Sequence, residues 1–268
     1  MSISFYKYQG TGNDFIMIDD RSGTFPVKDT QLVARLCDRR FGIGADGLIL
    51  LQPHPELSFY MKYYNADGNE SSMCGNGGRC LAAFAHKLGV VKDKARFMAI
   101  DGPHEVLIGE AEQNSNFVKL KMQSVSWVEK RGNSTFVLDT GSPHYVSFID
   151  TNLNELDLIP EAKRIRYNDE FAGEGINVNL ATDTGDTSIA IRTYERGVED
   201  ETLSCGTGVT AAALCLSLIK KLPTGHYTIN VKVMGGELKV SYDYDQEAGA
   251  FSNIWLQGPA TFVYAGTV

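Results

Sequence analysis

Two stretches of the sequence follow one plan: SSMCGNGGRCLAAFAHKLGV (residues 71–90) and TLSCGTGVTAAALCLSLIKKL (residues 202–222). Each has a polar approach, a Cys-Gly-x-Gly turn and then an apolar run of helix-forming residues. The two turns lie about half the chain apart, as expected if each half is one copy of a common unit. Because both runs are apolar around nearly their full circumference, we predict that each forms a buried helix.

The stretches that flank these helices predict strands, because they alternate or are rich in β-formers between Gly, Asp and Asn turns. A helix that is apolar on all sides needs strands wrapped around it. The predicted fold class is therefore α+β, with two pseudo-symmetric domains that each curl an antiparallel or mixed sheet around a central helix. We place the first domain at 1–125 and the second at 126–258. The linker is expected near 124–134, where charged and turn-forming residues interrupt the strand pattern.

Composition and charge indicate which kinds of molecule the protein is not expected to bind. The chain has 25 Lys and Arg against 33 Asp and Glu, a formal net charge of -8, which opposes binding to nucleic acid or to an anionic membrane surface. The start, MSISFYKYQG, lacks the features of a signal peptide, and no stretch approaches the roughly 20 apolar residues that span a bilayer. A cytoplasmic location is expected.

The five cysteines show no CxxC pair and no cluster with metal-ligand spacing, so neither a disulfide framework nor a metal site is predicted. Cys37, Cys80 and Cys215 are interpreted as small buried hydrophobes. Cys74 and Cys205 differ, because a helix N-terminus offers unpaired N–H groups and a partial positive charge that favour a thiolate. We predict that one thiolate removes an α-proton and the other thiol returns a proton to the opposite face. The N–H groups would hold the substrate carboxylate and stabilise the carbanion, with no cofactor.

Six motifs resemble those of a known family: GTGNDF (10–15), RRFGIGADG (39–47), YNADGNESSMCGNGGRC (64–80), SPH (142–144), INV (176–178) and YERGVEDETLSCGTG (194–208). They are similar to diaminopimelate epimerase, and the likeness continues to the closing GPATFVYAG (258–266). The resemblance implies interconversion of LL- and meso-2,6-diaminopimelate in lysine and peptidoglycan-precursor synthesis. It also implies two domains related by a pseudo-twofold axis, with the closing strand 259–268 packing back on the first domain, and a homodimer.

The resemblance also implies roles for individual residues. Cys74 and Cys205 match the proton donor and acceptor, and Arg196 is a charged fork suited to the distal carboxylate. His144 and Glu195 match residues that tune the thiol pKa, since an imidazolium lowers it and a carboxylate raises it. The matched substrate-binding positions are Asn13, Asn65, Gly75, Asn76, Asn177, Glu195, Arg196, Gly206 and Thr207.

Simpler interpretations stay open for several of these residues. Asn13 and Asn65 lie in sequences that are typical of turns. Arg196 would also suit a surface ion pair, and His144 an ordinary turn.

Two positions depart from the family pattern. Many members have Gln where this chain has Gly47, and Asn where it has Ser142. Both positions contact substrate in such relatives. We therefore expect water or other groups to hold the distal end of the substrate.

Several alternatives share some of these features. A proline or hydroxyproline racemase has the fold and the paired thiols but typically has His in place of Asn76. A phenazine-pathway isomerase lacks the cysteine pair. A non-catalytic binder of small carboxylates would not need two free thiols, and thiol–disulfide exchange would normally use CxxC. Two facing cysteines would nevertheless be prone to form an inactivating disulfide on oxidation.

Overall fold

The structure, a computed structural model, describes residues 2–71 and 73–268. The chain divides into two compact units. Unit 1 comprises Met1–Leu120 with Gly258–Val268, and unit 2 comprises Lys121–Gln257. The division therefore lies a few residues before the expected boundary at 125/126, and the closing segment belongs to unit 1.

Unit 1 is a closed barrel of eight strands around one helix. Its strands follow the order β1-β2-β3-β4-β5-β6-β7-β16, and the last strand returns to pair with the first. Its elements are β1 (Ser4–Gly10), β2 (Asn13–Asp19), α1 (Thr30–Cys37), β3 (Gly47–Gln52), β4 (Phe59–Asn65), α2 (Gly75–Lys87), β5 (Lys94–Ala99), β6 (Gly102–Glu112), β7 (Ser115–Lys121) and the end of β16 (Ala250–Thr267).

The apolar run of β3, GLILLQ, is buried on both faces because helices cover both. Leu48 and Leu50 belong to the apolar cluster that contains the buried face of α1. The opposite face packs on α2, where Ile49 Cδ1 lies only 2.8 Å from the place that a Cβ on Gly77 would occupy. The glycines of α2 thus allow the central helix to approach the barrel wall closely.

Unit 2 repeats this plan with the strand order β8-β9-β10-β11-β12-β14-β15-β16, and β13 is added beside β12. Its core surrounds α4, whose residues from Val209 to Leu216 are buried. The elements are β8 (Glu129–Arg131), β9 (Thr135–Asp139), β10 (Pro143–Phe148), α3 (Leu158–Arg166), β11 (Asn177–Gly185), β12 (Ser188–Glu195), β13 (Asp200–Thr202), α4 (Gly206–Lys220), β14 (Gly225–Val233), β15 (Gly236–Asp245) and the start of β16.

The two units have the same strand topology, and each has its own buried central helix. Along β1 to β6 the successive pairings are antiparallel, parallel, antiparallel, parallel and antiparallel. The series β9, β10, β11, β12, β14 and β15 has the same five pairings in the same order. The predicted α+β fold, with two pseudo-symmetric sheets that each enclose a buried helix, is confirmed.

The predicted linker at 124–134 is wrong. Val125 bridges to Phe251, and Glu129–Arg131 forms β8, which pairs with β9. The charged side chains that suggested a linker pair with one another, since Arg131 Nε lies 2.8 Å from Glu129 Oε1 and the guanidinium also binds Glu170. A charged edge strand has a composition that is easily mistaken for a turn.

Candidate active site

Cys74 and Cys205 occupy the same local position, the N-cap of a buried helix. Both have extended backbone angles, with φ and ψ of -104° and 124° at Cys74 and -110° and 111° at Cys205. Their carbonyls accept the first helical hydrogen bonds, from Gly78 N at 2.8 Å and Val209 N at 2.9 Å. The next N–H groups, those of Gly75 and Asn76 and of Gly206 and Thr207, lie in the first turn and precede the first main-chain hydrogen bond of their helix. Each thiol therefore lies at the positive end of a helix dipole, which favours a nearby anion.

The side chains around Cys74 include two other predicted residues. Asn13 Oδ1 lies 3.5 Å from Cys74 Sγ and 3.4 Å from Asn76 Nδ2. Asn13 Nδ2 donates to Asp46 Oδ2 at 2.6 Å, which fixes the orientation of its amide. The structure thus brings Asn13, Cys74 and Asn76 together, and Asp46 is a supporting residue that sequence reasoning missed.

Asp46 belongs to a charged network. Arg39 Nη2 lies 2.6 Å from Asp46 Oδ1 and 2.7 Å from Asp14 Oδ1, and Lys7 Nζ lies 2.8 Å from Asp14 Oδ2. Burial alone would raise the pKa of Asp14, but hydrogen bonds from Arg39 and Lys7 outweigh it and hold that pKa below its ordinary value. We call Lys7, Asp14, Arg39 and Asp46 the charged network. It joins residues of the motifs GTGNDF and RRFGIGADG, because Arg39 contacts both Asp14 and Asp46.

Cys205 lies beside a hydroxyl group. Thr207 Oγ1 is 3.5 Å from Cys205 Sγ, and Thr140 Oγ1 donates to the Thr207 carbonyl at 2.9 Å. Cys205 is only 6% exposed, whereas Cys74 is half-buried. Thr140 was not predicted from the sequence, and it holds the first turn of α4 from the end of β9.

His144 lies in a buried neutral network of hydrogen bonds. Asn179 Nδ2 donates to His144 Nδ1 at 3.0 Å, and Thr193 Oγ1 donates to Asn179 Oδ1 at 2.9 Å. These side chains touch the first turn of α4, since a Cβ on Gly208 would lie 2.3 Å from Asn179 Oδ1 and 3.4 Å from His144 Cε1. We call His144, Asn179 and Thr193 the neutral network. Asn179 was missed, although the alternation in INVN places it on the same strand face as Asn177.

The role of His144 in tuning the thiol pKa stays a prediction, but its surroundings disfavour an imidazolium. Burial, with a smaller effect from the Arg196 charge, lowers the pKa of His144 to about 3. The ring is therefore neutral near pH 7. Because Nδ1 accepts from Asn179, the ring proton belongs on Nε2, and His144 can act only as a neutral hydrogen-bonding group.

Asn177, Ser142 and Arg196 form a third polar group, in unit 2. Asn177 Nδ2 donates to Ser142 Oγ at 2.8 Å and to the Pro143 carbonyl at 3.0 Å, while Asn177 Oδ1 accepts from Arg196 N at 2.8 Å. The Arg196 guanidinium is exposed and donates to the Glu174 carbonyl at 3.1 Å. Asn177 thus holds the backbone that carries Arg196.

The remaining predicted residues lie at strand ends. Glu195 ends β12, and its Oε2 accepts from Thr202 Oγ1 at 3.0 Å. Asn65 ends β4, and its carbonyl accepts from Gly68 N at 2.9 Å, so the alternative role in a turn holds for its backbone. Its side chain is exposed.

Comparison with known proteins identifies the family. The family model described as diaminopimelate epimerase matches residues 5–128 and 136–263. The chain belongs to the diaminopimelate epimerase family. A diaminopimelate epimerase of Flavobacterium psychrophilum is 52% identical over 266 residues, which cover 99% of this chain and 100% of the relative. The Chlorobaculum tepidum protein of the same name is 42% identical, over 97% of this chain and 98% of its own.

Solved structures with low sequence identity show the same fold. A Bacillus anthracis phenazine biosynthesis protein of the PhzF family has a TM-score of 0.76 at 14% identity, covering 100% of this chain and 99% of that one. A probable proline racemase from Agrobacterium radiobacter K84 has a TM-score of 0.63 at 13% identity, covering 99% and 92%. These likenesses concern the fold alone.

Gly47, one of the two positions expected to depart from the family pattern, has no room for a side chain in this conformation. A Cβ at this position would lie 2.5 Å from Tyr63 Cε2 and 2.5 Å from the Tyr64 carbonyl oxygen. The Tyr63 ring therefore occupies the place where a side chain at residue 47 would begin. Ser142 is the other such position. Its side chain is short, and its Oγ accepts a hydrogen bond from Asn177 Nδ2.

The described residues contain neither a metal-binding group nor a membrane-spanning helix. In residues 2–71 and 73–268, no group of His, Cys, Asp and Glu side chains is arranged to hold a metal ion. In the same ranges, no helix combines the length and the apolar character needed to cross a membrane.

Proposed function

We propose that the protein interconverts LL- and meso-2,6-diaminopimelate by proton transfer at one α-carbon, with Cys74 and Cys205 as the two acid–base groups and no cofactor. The observation that carries this proposal is the repeated placement of a cysteine at the N-cap of a buried helix in two units of matched topology. Membership of the family supports diaminopimelate as the substrate. A relative that matches over nearly the full chain is named diaminopimelate epimerase.

The reaction needs one base and one acid. One cysteine, as thiolate, takes the α-proton and becomes a thiol, and the electron pair of the broken C–H bond spreads onto the α-carboxylate. The other cysteine then gives its proton to the opposite face of the carbon and becomes the thiolate. The helix N–H groups stabilise the developing negative charge, as donors do in an oxyanion hole.

We assign the polar side chains as follows. Asn13 and Asn76, beside Cys74, bind polar groups of the substrate, and Asn65 contributes from the end of β4. Arg196 pairs with a carboxylate and Glu195 with an ammonium group, while Asn177 positions Arg196 through its backbone N–H. His144 is a neutral positioning residue at the first turn of α4. Gly75, Gly206 and Thr207 contribute backbone N–H groups.

The cellular setting is a further part of the proposal. An epimerase with this substrate belongs to lysine biosynthesis, and we propose a cytoplasmic homodimer, as the family resemblance implies. Sedimentation equilibrium at micromolar concentration should give twice the chain mass of 29.4 kDa. A single species of 29.4 kDa would contradict the dimer without affecting the proton chemistry.

The function is tested by incubating the reduced protein with LL-2,6-diaminopimelate in D₂O. We expect meso-2,6-diaminopimelate that carries deuterium at the inverted carbon. Absence of both meso product and α-deuterium would contradict the proposal. Bound pyridoxal phosphate, visible as absorbance near its imine band, would contradict cofactor independence.

A further inference from the structure

Arg79, one turn into α2, is a completely buried cation. Its side chain is 0% exposed, and a guanidinium is not deprotonated in proteins. Nη2 donates to Thr11 Oγ1 at 3.4 Å, while Nε and Nη1 have no hydrogen-bond partner among the described residues. In residues 2–71 and 73–268, no carboxylate forms an ion pair with Arg79. Because a buried charge is costly unless an opposite charge compensates it, Arg79 needs a counter-charge of another kind.

The guanidinium of Arg79 lies beside the first turn of α2. Helical side chains lean toward the N-terminus of their helix, which carries this one back toward Cys74. Nη2 and the Asn76 carbonyl oxygen lie 3.4 Å and 3.5 Å from the place that a Cβ on Gly10 would occupy. Gly10 ends β1, and Asn13, which begins β2 after a short turn, contacts Cys74 Sγ. The guanidinium and the Cys74 thiol therefore contact the same short segment, 10–13.

Two thiols are close enough to act on the charge of Arg79, those of Cys80 and Cys74. Burial lowers the pKa of Arg79, and a negative charge on either sulfur opposes this shift. Cys80 is fully buried, and burial raises the pKa of its thiol to about 12, so it stays protonated near pH 7. Cys74 is only half-buried and lies at the positive end of the α2 dipole. Cys74 is therefore the group that can carry the counter-charge.

The other ionisable groups packed around the start of α2 are paired or neutral. In the charged network, both carboxylates are bound by the cations of the same network. On β1, burial raises the pKa of Tyr8, whose phenol is close to Cys80. On β4, Tyr63 is a phenol, and phenols are neutral near pH 7. On β6, His104 Nε2 lies 2.9 Å from Asp101 Oδ1. These groups leave the charge of Arg79 to be compensated at the cysteine.

The matching place in unit 2 holds a threonine. Arg79 and Thr210 are each the fifth residue of a helix that begins after an N-cap cysteine. Thr210 is buried and uncharged, and its Oγ1 donates to the Gly206 carbonyl at 3.0 Å. Unit 1 therefore has a buried positive charge behind its cysteine, whereas the corresponding place in unit 2 is neutral.

The surroundings of Cys205 favour a thiol. Cys205 is buried and Cys74 is half-buried, and burial favours the neutral form of a thiol. The charge of Arg196 reaches His144 beside the first turn of α4, but the Arg196 side chain is exposed. Water and salt screen an exposed charge much more than a buried one. The two cysteines should therefore differ in how readily they ionise.

We propose that Arg79 is a positioning residue whose buried positive charge holds Cys74, rather than Cys205, as the thiolate of the free protein. This inference rests on the proposed function, because it names the resting form of the two acid–base groups. Cys205 is then the protonated partner before substrate binds.

The test is the pH dependence of alkylation by iodoacetamide, which reacts with thiolates and needs no substrate. Peptide mapping by mass spectrometry gives separate initial rates for Cys74 and Cys205 at each pH. We expect the half-maximal rate of Cys74 at least about one pH unit below that of Cys205. Arg79→Gln should raise the Cys74 midpoint by about one pH unit or more. Arg79→Lys keeps the charge and should restore most of the difference.

Thr210→Val is the matched control, because it changes the corresponding buried position of α4 and alters no charge. It should leave the Cys74 midpoint unchanged. In 1 M NaCl the difference between the two wild-type midpoints should persist, since a buried charge is little screened. Thermal melting shows which variants are folded at the assay temperature.

The wild-type profile alone can overturn the inference, whether or not the variants fold. A Cys74 midpoint at or above that of Cys205 would do so, and so would a difference that 1 M NaCl abolishes, because exposed charges would then account for it. An unchanged Cys74 midpoint in folded Arg79→Gln would also overturn it. Absence of wild-type turnover in D₂O would contradict the proposed function, which the alkylation profile does not measure.

Discussion

The first turns of α2 and α4 receive polar support of two different kinds. Near α2, Asn13 is held by the charged network, in which the Arg39 side chain is 57% exposed. At α4, the neutral network is buried and contains no ion pair within the described residues. The duplicated backbone thus fixes the thiols and the helix N–H groups, while the side chains that support them have diverged.

Matched positions show how far this divergence goes. Strand register makes Phe15 the counterpart of His144, because each pairs with the first residue of the neighbouring parallel strand. By the same register, Ile49 corresponds to Asn179 and Tyr63 to Thr193. The inner wall near the helix start is thus aromatic and aliphatic in unit 1 and hydrogen-bonded in unit 2. Substitutions at matched positions should therefore have unequal effects, except at the cysteines.

The cysteines should show the largest effects and equal ones. Cys74→Ala and Cys205→Ala should each lower kcat/KM for epimerisation by at least about 10³-fold, because each removes an acid–base group. The control is Cys37→Ala, since burial raises the pKa of Cys37 to about 12 and keeps its thiol protonated. Appreciable epimerisation by either of the first two variants would remove the two-base mechanism.

Gly77 and Gly208, each the third residue of its helix, should respond differently to substitution. A Cβ on Gly208 would lie 2.3 Å from Asn179 Oδ1 inside the neutral network, so Gly208→Ala should lower the free energy of unfolding by about 2 kcal/mol or more. A Cβ on Gly77 would meet the side-chain ends of Ile49 and Met61 at 2.8 Å and 3.3 Å and would lie in ordinary contact with Cys74 Cβ at 3.5 Å. A gain in helix propensity partly offsets these contacts. Gly77→Ala should cost less than about 1 kcal/mol. Urea unfolding measures both, and equal losses would contradict the difference between the networks.

Acid should lower the free energy of unfolding of the protein, because the buried His144 ring resists protonation in the folded state. Its pKa is about 3 in the folded state against 6.5 ordinarily, so between these values the unfolded chain binds a proton that the folded chain does not. Stability is therefore lost as pH falls through this window, by about 2 kcal/mol between pH 7 and pH 5. Urea unfolding of wild type and His144→Gln at both pH values should show this loss in wild type only. The same pH dependence in both would contradict a buried neutral ring.

The charged network should show the smallest effect. Arg39→Gln removes its most exposed member, and exposed ion pairs contribute little, so we expect a loss below about 1 kcal/mol in the free energy of unfolding. The difference from wild type should shrink further in 1 M NaCl, where screening is strong. A loss of several kcal/mol that persists in high salt would show that this network is as important to folding as the neutral one.

Local patterns in the sequence predicted the two buried helices α2 and α4 and the duplicated plan, because an apolar run after a Cys-Gly-x-Gly turn is a local signal, but they did not predict α1 and α3. The pairing of β16 with strands of both units depends on contacts far apart in sequence, and only the family resemblance suggested that its end joins unit 1. Strand register could not be predicted from the sequence either. The contact between the Tyr63 ring and residue 47 was therefore not predictable. The neutrality of His144 follows from burial, which the motif SPH does not reveal. Asn179 was within reach, since the alternation in INVN marks it.

The most direct test of two matched acid–base groups is the early distribution of deuterium during turnover in D₂O. With one acid–base cysteine for each face of the α-carbon, product formed at low conversion should carry solvent deuterium at the inverted carbon. The remaining substrate should stay unlabelled, starting from either LL- or meso-2,6-diaminopimelate. Deuterium in recovered substrate at the same rate as in product, from the first time points, would contradict the account.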